Sequence, residues 1–201
     1  MDSRIMHQLT YGLFVLSAAE NGKDNGCIIN TVTQVSAAPA HVTISVCKQN
    51  YTHDMIARTG RFNVAILDIT APFDLFQRFG FQSGRDADKF AGVETIRTAN
   101  GILIPTEHVN AWFSGKVLQA WELGSHSLFL ADIKGGEIMS GKEPATYAFY
   151  HKNIKPRPQA GKRKGWRCKI CGYVYEGEEL PPIMCAHCAS TARPTSSGSS
   201  S

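Results

Sequence analysis

Four of the six cysteines in this 201-residue chain form two Cys-x-x-Cys pairs, Cys168/Cys171 and Cys185/Cys188, while Cys27 and Cys47 stand alone. A Cys-x-x-Cys-Gly turn aims two sulfurs and several backbone N–H groups at one point, and Gly172 lets the chain turn there without a side-chain clash. Thiolates so arranged stabilise a soft or borderline cation, and N–H···S bonds tune its potential. In a reducing compartment this spacing reads as metal ligation rather than disulfide pairing. Four thiolates suit zinc as well as iron. Cys27 and Cys47 read as ordinary buried thiols.

A second set of candidates lies in the first half of the chain. Asn30 to Ser36 alternates small polar residues, Asn30, Thr33 or Gln34, and Ser36. The edge of an isoalloxazine ring offers carbonyls and ring nitrogens that want such partners. Because alternate side chains of a strand face one way, only part of the set can reach one ligand. Lys48 to His53 follows a strand pattern and opens a helix pattern, so its backbone N–H groups and helix dipole can meet a phosphate. Lys48 would add charge there, and Asn50, Thr52 and His53 hydrogen bonds. No Gly-x-Gly-x-x-Gly stretch is present, so a nicotinamide nucleotide would have to dock without a Rossmann domain.

Trp166 to Pro181 resembles the first half of a rubredoxin, through the Cys168-Lys-Ile-Cys171-Gly-Tyr173 knuckle and the Tyr173-Val-Tyr175-Glu-Gly strand and turn. The resemblance implies one iron held by Cys168, Cys171, Cys185 and Cys188, passing single electrons. The second half departs from that family, which has Cys-Pro-x-Cys where this chain has Cys185-Ala-His-Cys188, followed by a Ser-rich tail. Read one base out of frame, codons for Pro182–Ser197 can encode Ala-Asp-Tyr-Val-Cys-Pro-Leu-Cys-Lys-His-Gly-Pro-Thr-Asp-Phe-Glu, a rubredoxin-like ending. We therefore expect a one-base deletion near codon 181 or 182. If the chain exists as written, the module has lost core packing and iron binding is weakened or absent, since metal binding and folding are coupled. His187 is then a possible substitute ligand.

Residues 1–153 resemble the flavin reductase-like family with its FMN-binding split barrel. The resemblance is spread over Tyr11-Gly12, Asn30–Ser36, Pro39–Val46, Asn50–His53, Gly60–Ala65, Asp88–Gly92 and Glu122–His126. It implies FMN contacts from Asn30, Thr31, Thr33, Gln34, Ser36, Ser45, Lys48, Asn50, Thr52, His53, Arg85 and Lys89. His126 is implied as the residue near the nicotinamide, although its segment reads Gly-Ser-His where the family has Gly-Asp-His. The two modules together resemble the high-molecular-weight rubredoxins. That resemblance implies an enzyme in which NAD(P)H reduces FMN and electrons pass singly to iron. They then leave for an acceptor protein, by analogy a flavodiiron oxygen or nitric oxide reductase. It also implies a homodimer. The alternative is a non-enzymatic electron carrier with no NADH turnover.

The elements that must position these residues read mainly as strands: Gly12–Ala18, Gly26–Gln34, His41–Cys47, Arg61–Leu67, Ile102–Ile104, Ala111–Glu122, Ser127–Lys134 and Glu137–Ser140. Asn21-Gly22, Asn25-Gly26 and Gly135-Gly136 read as turns. Helices are expected over Ser3–Leu9, Tyr51–Thr59 (Thr52 as cap, Gly60 as stop) and Pro72–Phe81. Gly84–Gly92 reads as a loop, and Tyr147–Tyr150 as a last strand or turn. Many short strands with few helices indicate a mainly β antiparallel barrel or sandwich; the family resemblance implies the Greek-key split barrel.

The expected division is a flavin domain over 1–153, a basic flexible linker over 154–165, a rubredoxin-like module over 166–190 and a disordered Ser-rich tail over 191–201. Charge divides similarly. Residues 1–151 carry 12 basic and 14 acidic side chains, and residues 152–201 carry 9 and 3. Most of the excess lies in the Pro/Gly-containing stretch Lys152–Arg167, which reads as a solvated linker rather than a nucleic-acid surface. No run approaches the roughly 18 apolar residues of a membrane span, and Met1–Thr10 has no basic-then-apolar pattern. A cytoplasmic protein with no membrane or nucleic-acid partner is expected.

Overall fold

The computed structural model describes residue 5, residues 8–156 and, as backbone alone, three short strands at 166–168, 174–175 and 192–194. Nine strands and two full helices make up the main body: β1 (Phe14–Glu20), β2 (Lys23–Ile29), β3 (Val32–Ala37), β4 (Ala40–Cys47), α1 (Tyr51–Thr59), β5 (Arg61–Leu67), α2 (Phe73–Gly80), β6 (Thr95–Arg97), β7 (Leu103–Pro105), β8 (Val109–Leu123) and β9 (His126–Ile138).

Seven strands form one antiparallel sheet in the order β2-β1-β5-β8-β9-β4-β3. Its two edges, β2 and β3, are consecutive in the chain and joined only by Asn30 and Thr31. Three peptide units reach about 11 Å at most. The sheet must therefore curl until its edges nearly meet at that end, which gives a barrel that stays split elsewhere. The mainly β antiparallel architecture expected from the sequence is the one observed.

Alternation along the strands sorts the core into two parts. Phe14, Leu16 and Ala18 face a barrel core with Ile29, Val42, Ile44, Val46, Phe62, Val64 and Phe129. The intervening Leu13 and Val15 face a second cluster with Ala65, Leu67, Phe76, Phe79 and Phe90. Helix α1 closes one barrel end by inserting Met55 and Ile56, both fully buried, contributing about 1.5–3 kcal/mol each. Gly60 ends α1 in the left-handed region, its N–H bonded to Ile56 O, as expected.

Several expectations are corrected. The stretch 26–34 is two strands, broken at Asn30–Thr31 where the chain crosses between sheet edges. Asn21-Gly22 does turn, with φ of 52° and 77°, as a type I′ hairpin requires. Asn25-Gly26 does not turn. Asn25 Nδ2 donates to Thr52 Oγ1 at 2.9 Å, and a Cβ on Gly26 would sit 3.0 Å from the Phe79 ring. Here glycine admits an aromatic ring rather than a bend. Gly135 and Gly136 likewise stay within β9, opposite Ser114 and Phe113. Tyr147–Ile154 is helical, a turn over Tyr147–Phe149 running into a π-turn over Tyr150–Ile154. The helix expected at Ser3–Leu9 lies mostly outside the described residues.

Beyond the main body, β10 (Trp166–Cys168) pairs antiparallel with β11 (Val174–Tyr175) and with β12 (Ala192–Pro194). Cys171, Cys185, Cys188 and His187, most of the expected linker and most of the Ser-rich tail lie outside the described residues.

Candidate functional site

The β8–β9 hairpin organises the site. Its loop is only Gly124-Ser125, with Gly124 at φ +66°, the positive φ that a two-residue turn demands at its first position. Leu123 therefore pairs with His126, Glu122 with Ser127 and Trp121 with Leu128. Strand β9 pairs in turn with β4, bringing Cys47 opposite His126, Val46 opposite Ser127 and Ser45 opposite Leu128. The chain leaves β4 through Lys48, whose N–H donates to Ser125 O at 3.0 Å, and enters α1 at Asn50. Hairpin tip, β4 end and α1 start thus meet at one end of the barrel.

The sheet's two faces separate the candidates. With Ile44 and Phe129 inside, Thr43, Ser45 and Cys47 face outward. On β3, Thr33 pairs with Thr43 and Gln34 with Val42, and a register shift then pairs Ser36 with His41. Thr33, Ser36 and Ser45 accordingly share the outer face, and Gln34 falls in the inward row. Thr31 spends its hydroxyl on Ser45 O at 2.8 Å, and Gln34 Nε2 donates to Ser36 O at 3.2 Å. Asn30 is half-buried in the crossing between β2 and β3. The outer face also carries Trp121 and Leu123, both exposed apolar side chains.

The inner row at this end is charged. Glu122 pairs with the Lys48 ammonium and accepts from Ser127 Oγ at 2.9 Å. Ser127 Oγ lies 2.9 Å from His53 Nε2. His53 Nδ1 lies 3.2 Å from Asp54 Oδ1, and Arg85 donates to Asp54 Oδ2 at 2.7 Å. The Arg85 guanidinium sits 4.8 Å over the Tyr51 ring, and Lys23 Nζ lies 5.1 Å from the same ring, a cation–π arrangement. The Lys48 ammonium, helped by the Ser127 hydroxyl, holds the Glu122 carboxyl below its ordinary range. Burial pushes Asp54 the other way, but the Arg85 and His53 hydrogen bonds outweigh it and leave that carboxyl low too. Asn50 caps α1 with its backbone, and its side chain makes no cap hydrogen bond. The first-turn amides of a nine-residue helix are therefore left without a side-chain acceptor.

Two expected contacts are not met. Thr52 is fully buried, neither capping α1 nor facing solvent, and accepts from Asn25. Lys89 is no surface charge: it is 4% exposed, and its ammonium donates to Gly26 O at 2.9 Å and Phe79 O at 3.1 Å. It ties β2 to α2. His126 is half-buried, with Nδ1 2.8 Å from Ser125 Oγ. Sequence reasoning assigned no role to Tyr51, Asp54, Glu122 or Ser127. Hairpin arithmetic around Gly124 would have paired Glu122 with Ser127; nothing local pointed to Tyr51 or Asp54. The cavity of about 380 Å³ beside α2, lined by Asp74, Arg78, Glu107 and His108 among others, shares no residue with this set. Among the described residues, no cluster of His, Cys, Asp and Glu could hold a metal, and no helix is long and apolar enough to cross a membrane.

Comparison with known proteins agrees with this architecture. Residues 6–156 match the flavin reductase like domain family, and residues 166–193 match the rubrerythrin, rubredoxin-like domain. The chain is 32% identical over 197 residues to a high molecular weight rubredoxin of Moorella thermoacetica, covering 90% of this chain and 86% of that protein. It is 32% identical over 151 residues to a ferric-chelate reductase (NAD(P)H) of Archaeoglobus fulgidus, covering 75% and 89%. Among solved structures, an NADH:FAD oxidoreductase of Streptomyces globisporus, in complex with NAD and FAD fragments, superposes with a TM-score of 0.66. It is 20% identical and covers 79% of this chain and 92% of that one. The family model over residues 6–156, the 32% identical relatives and the rubredoxin-like segment that follows thus place this chain as an oxidoreductase that belongs to the flavin reductase-like family.

Proposed function

We propose that the chain binds FMN across the β4–α1 junction and the β8–β9 hairpin, and that it works as an NAD(P)H-dependent reductase passing electrons to iron held by Cys168, Cys171, Cys185 and Cys188. The observation that carries this reading is the open first turn of α1, bracketed by Lys48 and Arg85. The donor set fits a phosphate: the positive end of a helix with no side-chain cap, two cations, and a half-buried asparagine. When bound, a flavin supplies hydride acceptance and one-electron release, and four-thiolate iron supplies single-electron transfer.

The residues have distinct tasks. Lys48, Asn50 and Arg85 hold the phosphate. Thr33, Ser36 and Ser45, on the outer face, offer hydroxyls to the polar edge of the ring, with Asn30 and Thr31 at the neighbouring crossing. His126, opposite Cys47 on β9, orients the nicotinamide. Trp121 and Leu123 are exposed apolar side chains at the same end. We assign them to contact with a second copy of the chain, which would cover the ring and exclude water. The final acceptor is a protein of flavodiiron type.

Anaerobically purified protein tests this. Visible absorption should show flavin bands and iron bands, with less than one iron per flavin in the chain as written, and stopped-flow mixing with NADH should bleach the flavin band before the iron band. A colourless preparation that takes up no added FMN would refute the reading. Flavin that binds but is not reduced by NADH or NADPH would leave a carrier and remove the enzyme.

A further inference from the structure

We infer that Asn25 is a positioning residue for the phosphate site: its buried side chain, wedged between Thr52 of α1 and the backbone of Gly84, sets the spacing between the α1 first turn and Arg85. The inference rests on the flavin reading above for its ligand, and on side-chain packing for its mechanism.

Asn25 lies on edge strand β2, opposite Ala18, and is 2% exposed. Its Nδ2 donates to the fully buried Thr52 Oγ1 at 2.9 Å. Its Oδ1 has no hydrogen-bond partner among the described residues and points at Gly84. A Cβ on Gly84 would sit 1.9 Å from Asn25 Oδ1, 2.3 Å from Cγ and 2.7 Å from Nδ2. The amide therefore fills the space in which any other residue at 84 would carry its side chain. Turning the amide over leaves the same arrangement, one polar atom at Thr52 and the other, unfilled, at Gly84. A buried amide with an unfilled group costs stability, and such departures concentrate where geometry serves a site.

The two surfaces that Asn25 touches are the two halves of the phosphate site. Thr52 belongs to the first turn of α1, and Gly84 precedes Arg85. The loop is tightly wound: Asp86 and Ala87 N–H both donate to Ser83 O, at 3.2 and 3.1 Å, and Arg85 N–H donates to Ser83 Oγ at 3.1 Å. In so short a turn, placing Gly84 places Arg85. Arg85 then reaches back to α1, to Asp54 Oδ2 at 2.7 Å and over the Tyr51 ring at 4.8 Å. Its side chain is 50% exposed, and a surface ion pair holds such a chain only weakly. The buried contact between Asn25 and Gly84 is the firm part of the junction. Without the amide the loop has room to shift, and the guanidinium loses its register with the α1 amides. Misplacing one charge-assisted hydrogen bond weakens binding about tenfold. Riboflavin, which lacks the phosphate, escapes this effect.

The test uses the whole chain and titrates FMN and riboflavin by intrinsic fluorescence. Asn25→Ala should weaken FMN about tenfold and leave riboflavin steady. Arg85→Leu should cause the same selective loss, and adding Asn25→Ala to it should lower the FMN-to-riboflavin ratio no further. Gly84→Ala, which presses on the amide from the other side, should also lower the ratio, and its combination with Asn25→Ala should lose less than the two losses together. Equal weakening of both flavins in Asn25→Ala, or losses that add in either combination, overturn the positioning role. Amide hydrogen exchange at Arg85, Asp86 and Ala87 should quicken in flavin-free Asn25→Ala; unchanged exchange overturns the packing on which the role depends. If wild type binds neither flavin, the flavin reading fails separately, and exchange alone decides whether Asn25 holds the loop.

Discussion

Replacing Lys89 by methionine gives the sharpest test of how this barrel end is braced. Lys89 is 4% exposed and its ammonium bridges Gly26 O and Phe79 O, tying an edge strand to α2. Hydrogen bonds from a charged donor contribute about 1.5–3 kcal/mol each, and an orphaned buried carbonyl costs about 1–3 kcal/mol. Against this, the variant no longer desolvates an ammonium, which offsets several kcal/mol. The balance is a net loss of about 2–4 kcal/mol, or about 5–15 °C in Tm for a domain of this size. Urea unfolding followed by circular dichroism measures it. The pH dependence has a definite sign. Burial lowers the Lys89 ammonium's tendency to stay protonated in the folded state, so between the folded and unfolded values the unfolded chain binds more protons. Wild-type stability should therefore rise relative to Lys89→Met as pH climbs toward about 10. A loss under about 0.5 kcal/mol, or a variant more stable than wild type, would refute the bridging role.

Three further outcomes are expected. Gly84→Ala should destabilise by about 1–3 kcal/mol, because its Cβ would lie 1.9 Å from Asn25 Oδ1 and displace the Asn25–Thr52 bond; thermal melts of the single variant and of the double variant with Asn25→Ala would show whether the loss is shared. Burial of Asp68 opposes its ionisation, but the Thr70 hydroxyl and amide, with Lys142, win and hold the carboxyl low. Its stabilisation is present above about pH 4 and lost as pH falls through the lower folded value. Asp68→Asn should cost about 1–3 kcal/mol at neutral pH, and the gap should close in acid-unfolding curves below pH 4. Leu123→Glu, on the exposed tip of β8, should convert a dimer to a monomer in sedimentation equilibrium and weaken flavin retention; an unchanged mass would remove the assigned interface.

Much of the architecture was legible because it is written locally. The Val/Ile-rich runs and their alternation gave β4 and β5. Gly60 and the Tyr51–Thr59 pattern gave α1 with its stop, and the Cys-x-x-Cys pairs marked a metal module regardless of how the rest folds. Dipeptide signals were less dependable. Asn25-Gly26 and Gly135-Gly136 carry turn chemistry but lie inside strands, because glycine also serves where a ring or a neighbouring backbone must come close. Only the tertiary structure decided which candidates stand together. Strand register put Thr33, Ser36 and Ser45 on one face and Gln34 on the other, and curling of the sheet brought the two edges within three peptide units. Residues 31 to 74 positions apart, Arg85 with Asp54 and His53 with Ser127, became hydrogen-bonded partners. Spacing along a chain fixes what a residue can do; which charge faces which depends on long-range pairing and burial, and that turned Lys89 into a strut and His53 into the centre of a charged chain.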